Sequence, residues 1–269
     1  MATVPVNGTR IHYFDDPGPG ADAPAVVMLH GFARNGTFWD GWVPALTSRY
    51  RVIRPDIRGC GRNPDPGPGF VLRVDDMVGD LVGLLDLLGL GSVRLVGEST
   101  GGIVSALTAA RHPDRVRGLV LCSTPVTPVN SDPAVKAPGA ATPEESLRTL
   151  GLAQWWMRSR AMTGDLFGDE RDDAIAAEFA RTPLPVALEM WRAMHQAEVT
   201  LEPVLAQITA PTLLMTPTGS STMGADDQAR LAAALPHATQ RVYQGAPHGM
   251  YYLRATELAA DALDFFEKS

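Results

Sequence analysis

Short, largely apolar runs alternate with helical patterns through the first half of the chain. The runs lie at residues 25–29, 50–55, 93–96 and 118–122. Apolar strands of this length are typical of a parallel sheet that is buried on both faces. Apolar residues at 74–88 instead recur every three or four positions, which predicts an amphipathic helix that ends at Gly89. With a second helix predicted at 102–111, strands and helices alternate as in βαβ units.

The two ends of the chain extend this pattern. Near the N-terminus, two alternating runs flank Asn7-Gly8, a pair that predicts a β-hairpin with a type I′ turn. Beyond residue 205 the strand–helix rhythm returns. Strands are predicted at 212–215 and 240–243, and helices at 227–235 and 255–266.

The middle of the chain has a different pattern. Residues 125–204 show little strand character, begin with several prolines, and contain helical segments rich in tryptophan and methionine. We interpret this stretch as a helical cap inserted into a core. The core is then formed by residues 1–124 and 205–269.

Composition narrows the classes of function. The formal net charge of −7 disfavours binding to nucleic acids or anionic membranes. No apolar stretch is as long as a membrane span, and the first residues lack the basic and apolar regions of a secretion signal. Cys60 and Cys122 have no metal-ligand spacing, and no phosphate or dinucleotide motif occurs, so neither a metal nor a cofactor is expected. We expect a cytoplasmic protein that binds a small-molecule substrate, with a homodimer left open.

Residues 97–101 read Gly-Glu-Ser-Thr-Gly and stand between a predicted strand and a predicted helix. This is the G-x-S-x-G pattern of a nucleophile elbow. An abrupt turn from strand to helix strains the backbone of the central residue, Ser99, and the flanking glycines avoid clashes. The hydroxyl then projects outward, and the helix N-terminus adds partial positive charge where an oxyanion would form. Ser99 is therefore the candidate nucleophile.

Nearly the whole chain resembles the α/β-hydrolase superfamily. Besides the elbow, the segments that carry the resemblance are residues 30–32 (His-Gly-Phe), 56–62, 110–116 and 245–249. Asn63 stands where the second segment usually has a serine. The resemblance implies an α/β-hydrolase fold, a mostly parallel sheet flanked by helices. It also implies that the backbone N–H groups of Phe32 and Thr100 are the oxyanion donors.

His248 is the candidate general base. A serine hydroxyl needs a neighbouring base, and histidine titrates in the useful range. His248 follows the last predicted strand, at the carboxyl edge of the sheet where the ligand crevice of such folds lies. The other histidines have structural explanations in a hairpin, a loop, a helix end, the cap and a turn: His12, His30, His112, His195 and His237.

The carboxylate that orients the histidine of a Ser–His–Asp triad is not at its usual place. By the resemblance, Ser220 occupies the position of the Asp after the seventh strand, and residues 122–125 after the sixth contain no carboxylate. The remaining candidates are Asp226, Asp227, Asp132 and Glu98. The first two have the positions of helix N-terminal residues, and Glu98 is expected to point away from Ser99 because successive strand side chains face opposite sides. A Ser–His dyad without an acid is equally open.

These residues predict a hydrolase of an ester or lactone. The tryptophans and methionines at 150–195 favour an apolar or aromatic small molecule as its substrate. Two alternatives are open. Relatives without cofactors cleave carbon–carbon bonds, form peracids or add dioxygen, and some hydrolase-like proteins are small-molecule receptors.

Overall fold

A sheet of eight strands forms the centre of the part of the chain that the computed structural model describes, residues 1–127, 139–164, 166–196, 199–220 and 225–269. The strands are β1 (Ala2–Val6), β2 (Thr9–Asp16), β3 (Ala25–Leu29), β4 (Arg51–Pro55), β5 (Val93–Glu98), β6 (Val116–Cys122), β7 (Thr212–Pro217) and β8 (Ala238–Tyr243). Their order is β1-β2-β4-β3-β5-β6-β7-β8. The pairs β1–β2 and β2–β4 are antiparallel and all other pairs are parallel, so the carboxyl ends of β3 to β8 meet at one edge.

Helices cover both faces of this sheet. In the described ranges they are α1 (Val43–Leu46), α2 (Val74–Leu87), α3 (Thr100–Arg111), α4 (Pro143–Thr163), α5 (Arg171–Phe179), α6 (Leu184–Met194), α7 (Ala225–Ala234), α8 (Met250–Leu253) and α9 (Ala255–Lys268). Short 3₁₀ turns lie at Gly36–Trp42, Pro113–Arg115 and Leu205–Gln207. No helix among these residues is long and apolar enough to cross a membrane.

Alternating side chains of the central strands divide the core into two apolar layers. In β3, Val27 and Leu29 pack in the layer covered by α2 and α3, whereas Val26 and Met28 pack in the layer covered by α1 and α9. All four side chains are at most 4% exposed. A strand with apolar residues on both sides can be buried only between two such layers, which is why its sequence is a continuous apolar run.

The predicted architecture, a mostly parallel sheet flanked by helices, is confirmed. The hairpin is also present, with positive φ angles of 45° at Asn7 and 77° at Gly8. The sequence did not predict the 3₁₀ turn at Gly36–Trp42 or the short helix α1 that follows it. Their apolar positions are too few and too close together to show a period, because 3₁₀ segments are short and contain three residues per turn.

Three helices lie within the stretch assigned to the cap, α4 to α6. Helix α4 breaks at Gly151, which has φ 70° and ψ 165°. Tryptophan side chains from α4 and α6 pack in the same layer as Val120 and Cys122 of β6. The boundaries of the core at 1–124 and 205–269, and of the cap at 125–204, remain a prediction.

Candidate active site

Ser99 stands alone between β5 and α3. Strand β5 ends at Glu98 and helix α3 begins at Thr100, which leaves a single residue to make the turn. Ser99 accordingly has φ 51° and ψ −116°. This backbone conformation is uncommon for a residue with a side chain, and it persists only where the surrounding structure enforces it.

Close packing on both sides of the turn requires the glycines of the motif. A Cβ atom on Gly97 would lie 2.5 Å from the carbonyl oxygen of Gly101. One on Gly101 would collide with the carbonyl oxygen of Leu29, and one on Gly102 with the side chain of Thr124. Strand β5 and helix α3 therefore approach each other and the end of β3 as closely as backbones permit.

The loop after β3 brings Phe32 to the same place. His30 is fully buried below this loop, where its Nδ1 lies 2.8 Å from the carbonyl oxygen of Gly31 and its Nε2 lies 2.8 Å from the amide nitrogen of Ile57. Burial, above all, lowers the pKa of His30. The neutral ring can then donate from Nδ1 and accept at Nε2, so that it connects two loops.

The N–H of Thr100 belongs to the first turn of α3 and has no partner within that helix. Such a group points its positive end toward the space above the turn. Phe32, Ser99 and Thr100 all line one pocket at the carboxyl edge of the sheet. The two N–H groups that the resemblance assigns to an oxyanion hole therefore lie in residues on either side of Ser99.

His248 reaches this pocket from the loop after β8. The hydroxyl of Ser123 donates a hydrogen bond of 2.9 Å to the carbonyl oxygen of His248. The amide of Gly219 donates a bond of 2.9 Å to the carbonyl oxygen of Ala246, so the loop after β7 is joined to the loop that carries His248. This places the hydroxyl of Ser220 3.4 Å from Nδ1 of His248. A hydroxyl thus occupies the side of the ring where the triad has a carboxylate.

Glu98 provides a carboxylate on the other side of the ring. Its Oε1 lies 3.2 Å from Nε2 of His248, and its Oε2 is paired with the Arg34 guanidinium. The Glu98 side chain is fully buried. Burial alone raises the pKa of a carboxyl group, but Arg34 and His248 outweigh it, so the pKa of Glu98 lies below its ordinary value.

The sequence predicts that the Glu98 side chain points away from Ser99, but in the structure its carboxylate contacts His248. Alternation along a strand predicts the direction of a side chain, but not how far a long side chain reaches across a sheet edge. A usable signal was present, because a charged residue at the end of the central strand β5 requires a buried partner. Arg34 follows β3, which pairs with β5, so its side chain is well placed for that role.

The other acid candidates lie elsewhere or cannot be placed. Asp226 and Asp227 are in the first turn of α7, where Asp227 accepts a hydrogen bond of 3.0 Å from the amide of Val126. Neither contacts His248 in the described part of the chain. Asp132 lies outside the described residues.

Five aromatic side chains line the pocket above Ser99. The lining includes Phe32, Trp155, Trp156, Phe179 and Trp191, together with Ser99 and His248. The empty space is about 620 Å³, counting the open solvent at the mouth of the pocket. Among the described residues the Ser99 hydroxyl forms no hydrogen bond, so it is open toward this space.

Two other histidines have roles that the structure explains. His12 lies 3.1 Å from Asp56 at the centre of the loop that follows β4. His195 stacks on Trp191, with ring centroids 4.0 Å apart, and it lines the same pocket as Ser99. Burial lowers the pKa of His195, which favours its neutral form.

A family model described as the alpha/beta hydrolase fold matches residues 24–255 of this chain. The chain belongs to the α/β-hydrolase family. The match includes the turn at Ser99, the loop of Phe32 and the loop of His248, so the whole site described above lies in the part that identifies the family.

Relatives of this α/β hydrolase differ in the reactions that their names describe. Epoxide hydrolase B of Mycobacterium tuberculosis is 40% identical over 119 residues, which are 44% of this chain and 33% of that protein. The 2-hydroxy-6-oxo-2,4-heptadienoate hydrolase of Pseudomonas putida is 44% identical over 105 residues, 38% of this chain and 37% of that protein. The matched part of the chain thus spans about a third of these curated relatives.

Among solved structures, the enol-lactonase of Burkholderia xenovorans is similar over the whole molecule. It superposes with a TM-score of 0.83 at 25% identity, covering 99% of this chain and 100% of that chain. The fold is therefore common to both proteins from end to end.

Proposed function

We propose that this α/β hydrolase is a serine hydrolase that cleaves an ester or lactone bond in an apolar or aromatic small molecule. The observation that carries the proposal is the position of Ser99. Its hydroxyl projects from a strained turn into an aromatic pocket that also contains His248. Strain of this kind has a cost, and it is typical of residues with a catalytic role.

In the proposed reaction, the Ser99 oxygen attacks the carbonyl carbon while its proton passes to Nε2 of His248. The N–H groups of Phe32 and Thr100 stabilise the resulting oxyanion. The intermediate collapses, His248 returns the proton to the leaving oxygen, and an alcohol departs or the lactone ring opens. Water then attacks the acyl-serine, with His248 again as base, and releases the carboxylic acid.

Residue 99 also distinguishes among the activities named for the relatives. A serine oxygen that opened an epoxide would form an ether, which water does not hydrolyse under the mild conditions in which enzymes act. The same oxygen forms an ester with an acyl group, and that ester is readily hydrolysed. The similarity to an enol-lactonase over the whole chain supports acyl transfer as the chemistry.

A fluorophosphonate probe tests the proposal without knowledge of the natural substrate. The native protein should be labelled at Ser99, and Ser99→Ala should not be labelled. His248→Gln should react at least about 100-fold more slowly, the usual contribution of a general base. Ser105→Ala and His237→Gln are the matched controls, because Ser105 is fully buried and His237 is exposed away from the pocket. Both controls should react as the native protein does. Undiminished turnover of small activated esters by Ser99→Ala would contradict the proposal.

Hydrolysis of a carbon–carbon bond is the second candidate. The similarity to a hydrolase whose named substrate is a 6-oxo-dienoate, a ketone and not an ester, supports it. Parallel assays of phenyl esters and of a 6-oxo-dienoate distinguish the two reactions. Faster cleavage of the dienoate, lost in Ser99→Ala, would favour the second candidate.

A further inference from the structure

The carboxylate of Glu98 lies beside the candidate base but has no part in the reaction described above. It is fully buried and touches two ionisable groups, Arg34 and His248. On the opposite side of the ring, Nδ1 faces the hydroxyl of Ser220 at 3.4 Å. The ring of His248 therefore has its negative neighbour on the Nε2 side.

We propose that Glu98 is the positioning carboxylate of His248, which stabilises the protonated ring from the Nε2 side and thereby replaces the absent acid at position 220. The inference rests on the proposed function, because it assigns His248 the role of base. It differs from the usual triad in the side of the ring that the carboxylate approaches.

The geometry allows Glu98 to act through its charge while Nε2 still accepts a proton. Oε1 of Glu98 lies 3.2 Å from Nε2, but the contact lacks the alignment of a hydrogen bond. An ionised carboxylate can only accept hydrogen bonds, so Glu98 does not take up the lone pair with which Nε2 receives the proton of Ser99. Once the ring is protonated, a full negative charge lies within 4 Å of it, and the burial of both side chains strengthens the attraction.

Arg34 keeps this carboxylate ionised and in position. Its guanidinium carbon lies 5.3 Å from the ring centroid of Trp156 and 5.4 Å from that of Tyr251, so aromatic faces hold the cation. Within the described part of the chain, the other titratable groups near Glu98 are His30, Cys122 and Tyr251. Burial lowers the pKa of His30 and raises the pKa values of Cys122 and Tyr251, so all three are neutral near pH 7. Arg34 and His248 are therefore the groups that carry, or come to carry, positive charge at the carboxylate.

The test removes the charge pair as a unit and then supplies a carboxylate on the other side of the ring. Glu98→Gln alone would leave Arg34 as an uncompensated buried charge, so the variant is Glu98→Gln with Arg34→Met. The matched control is Asp80→Asn with Arg58→Met, which removes a largely buried Arg–Asp pair away from the pocket. The readouts are kcat and KM for phenyl acetate, the acid limb of the pH–rate profile, and the rate of fluorophosphonate labelling.

In the Glu98 double variant we expect kcat to fall at least about tenfold, with little change in KM, and the acid limb to move about one pH unit lower. The control pair should change neither. Ser220→Asp should restore kcat and the acid limb in the double variant but should raise kcat little in the native protein. Glu98→Asp keeps the pair with Arg34 while moving the carboxylate away from Nε2, and it should give an intermediate rate. If the double variant does not fold, Glu98→Asp provides the test by itself.

Two results would overturn the inference alone. One is an unmoved acid limb in the Glu98 variants, which would leave Glu98 a purely structural role. The other is an equal rise in kcat when Ser220→Asp is introduced into the native protein and into the Glu98 double variant. Positions 98 and 220 would then act independently. A native protein that is neither labelled at Ser99 nor able to turn over esters would instead overturn the proposed function, and this inference with it.

Discussion

At the scale of single residues, the neighbours of Ser99 hold it in a conformation that its own side chain disfavours. The amide of Ser99 donates to the carbonyl oxygen of Cys122 at 3.1 Å, and its carbonyl oxygen accepts from Ile103 at 3.0 Å. Together with the close backbone approach at Gly101, these contacts leave no room for the turn to relax. The strain at one residue is therefore maintained by the packing of three elements.

The close backbone approach at Gly101 yields a prediction on stability. Gly101→Ala places a methyl group against the backbone of β3, which cannot rotate away as a side chain could. We expect the free energy of unfolding to fall by about 1–3 kcal/mol or more, as for other overpacked sites. Urea unfolding measures it. Gly91→Ala is the control, because its new methyl group meets no atom within 4 Å, and a loss as large in that variant would contradict the explanation.

At the scale of elements, the sequence predicted those parts whose pattern is local. Strand β3 was predicted with the bounds that the structure shows, because every one of its residues is apolar and buried. The Gly-Glu-Ser-Thr-Gly motif likewise shows its turn directly in the sequence. The contact between Glu98 and His248 joins residues 150 positions apart, and no local pattern encodes it. The break in α4 was missed for a related reason, since a lone glycine in a helical pattern is ordinarily tolerated.

That break yields a prediction on the wall of the pocket. Gly151 has φ 70° and ψ 165°, a region that is essentially restricted to glycine, and the next turn of α4 carries Trp155 and Trp156. We expect Gly151→Ala to lower the free energy of unfolding by about 1–3 kcal/mol and to raise KM for aromatic esters as the tryptophans move. Gly164→Asn is the control, because Gly164 has φ 72° and ψ 21°, which asparagine tolerates. An unchanged stability and KM in Gly151→Ala would count against this account.

At the scale of the whole molecule, the sheet separates the two apolar layers of the core, and the question is whether they unfold together. Cys60 is buried in the layer covered by α2 and α3, and Cys122 in the layer covered by α1 and α9. Burial raises the pKa of Cys60 to about 12, and it raises that of Cys122 well above its ordinary value. Because the thiolate is the reactive form, neither residue should react in the folded protein. Each thiol therefore reports on the integrity of its own layer.

We expect the two thiols to become reactive at the same urea concentration, because the central strands contribute side chains to both layers and cannot leave one without disrupting the other. Pulse alkylation with iodoacetamide across a urea series, followed by peptide mapping, measures each thiol separately without any substitution. Fully unfolded protein provides the control, since there both thiols should react at equal rates. A midpoint for Cys60 clearly below that for Cys122 would show that the layer containing α2 and α3 opens first. Helix α6 would then open with it, because Met190 of that helix contacts Cys60 at 3.8 Å between their sulfur atoms.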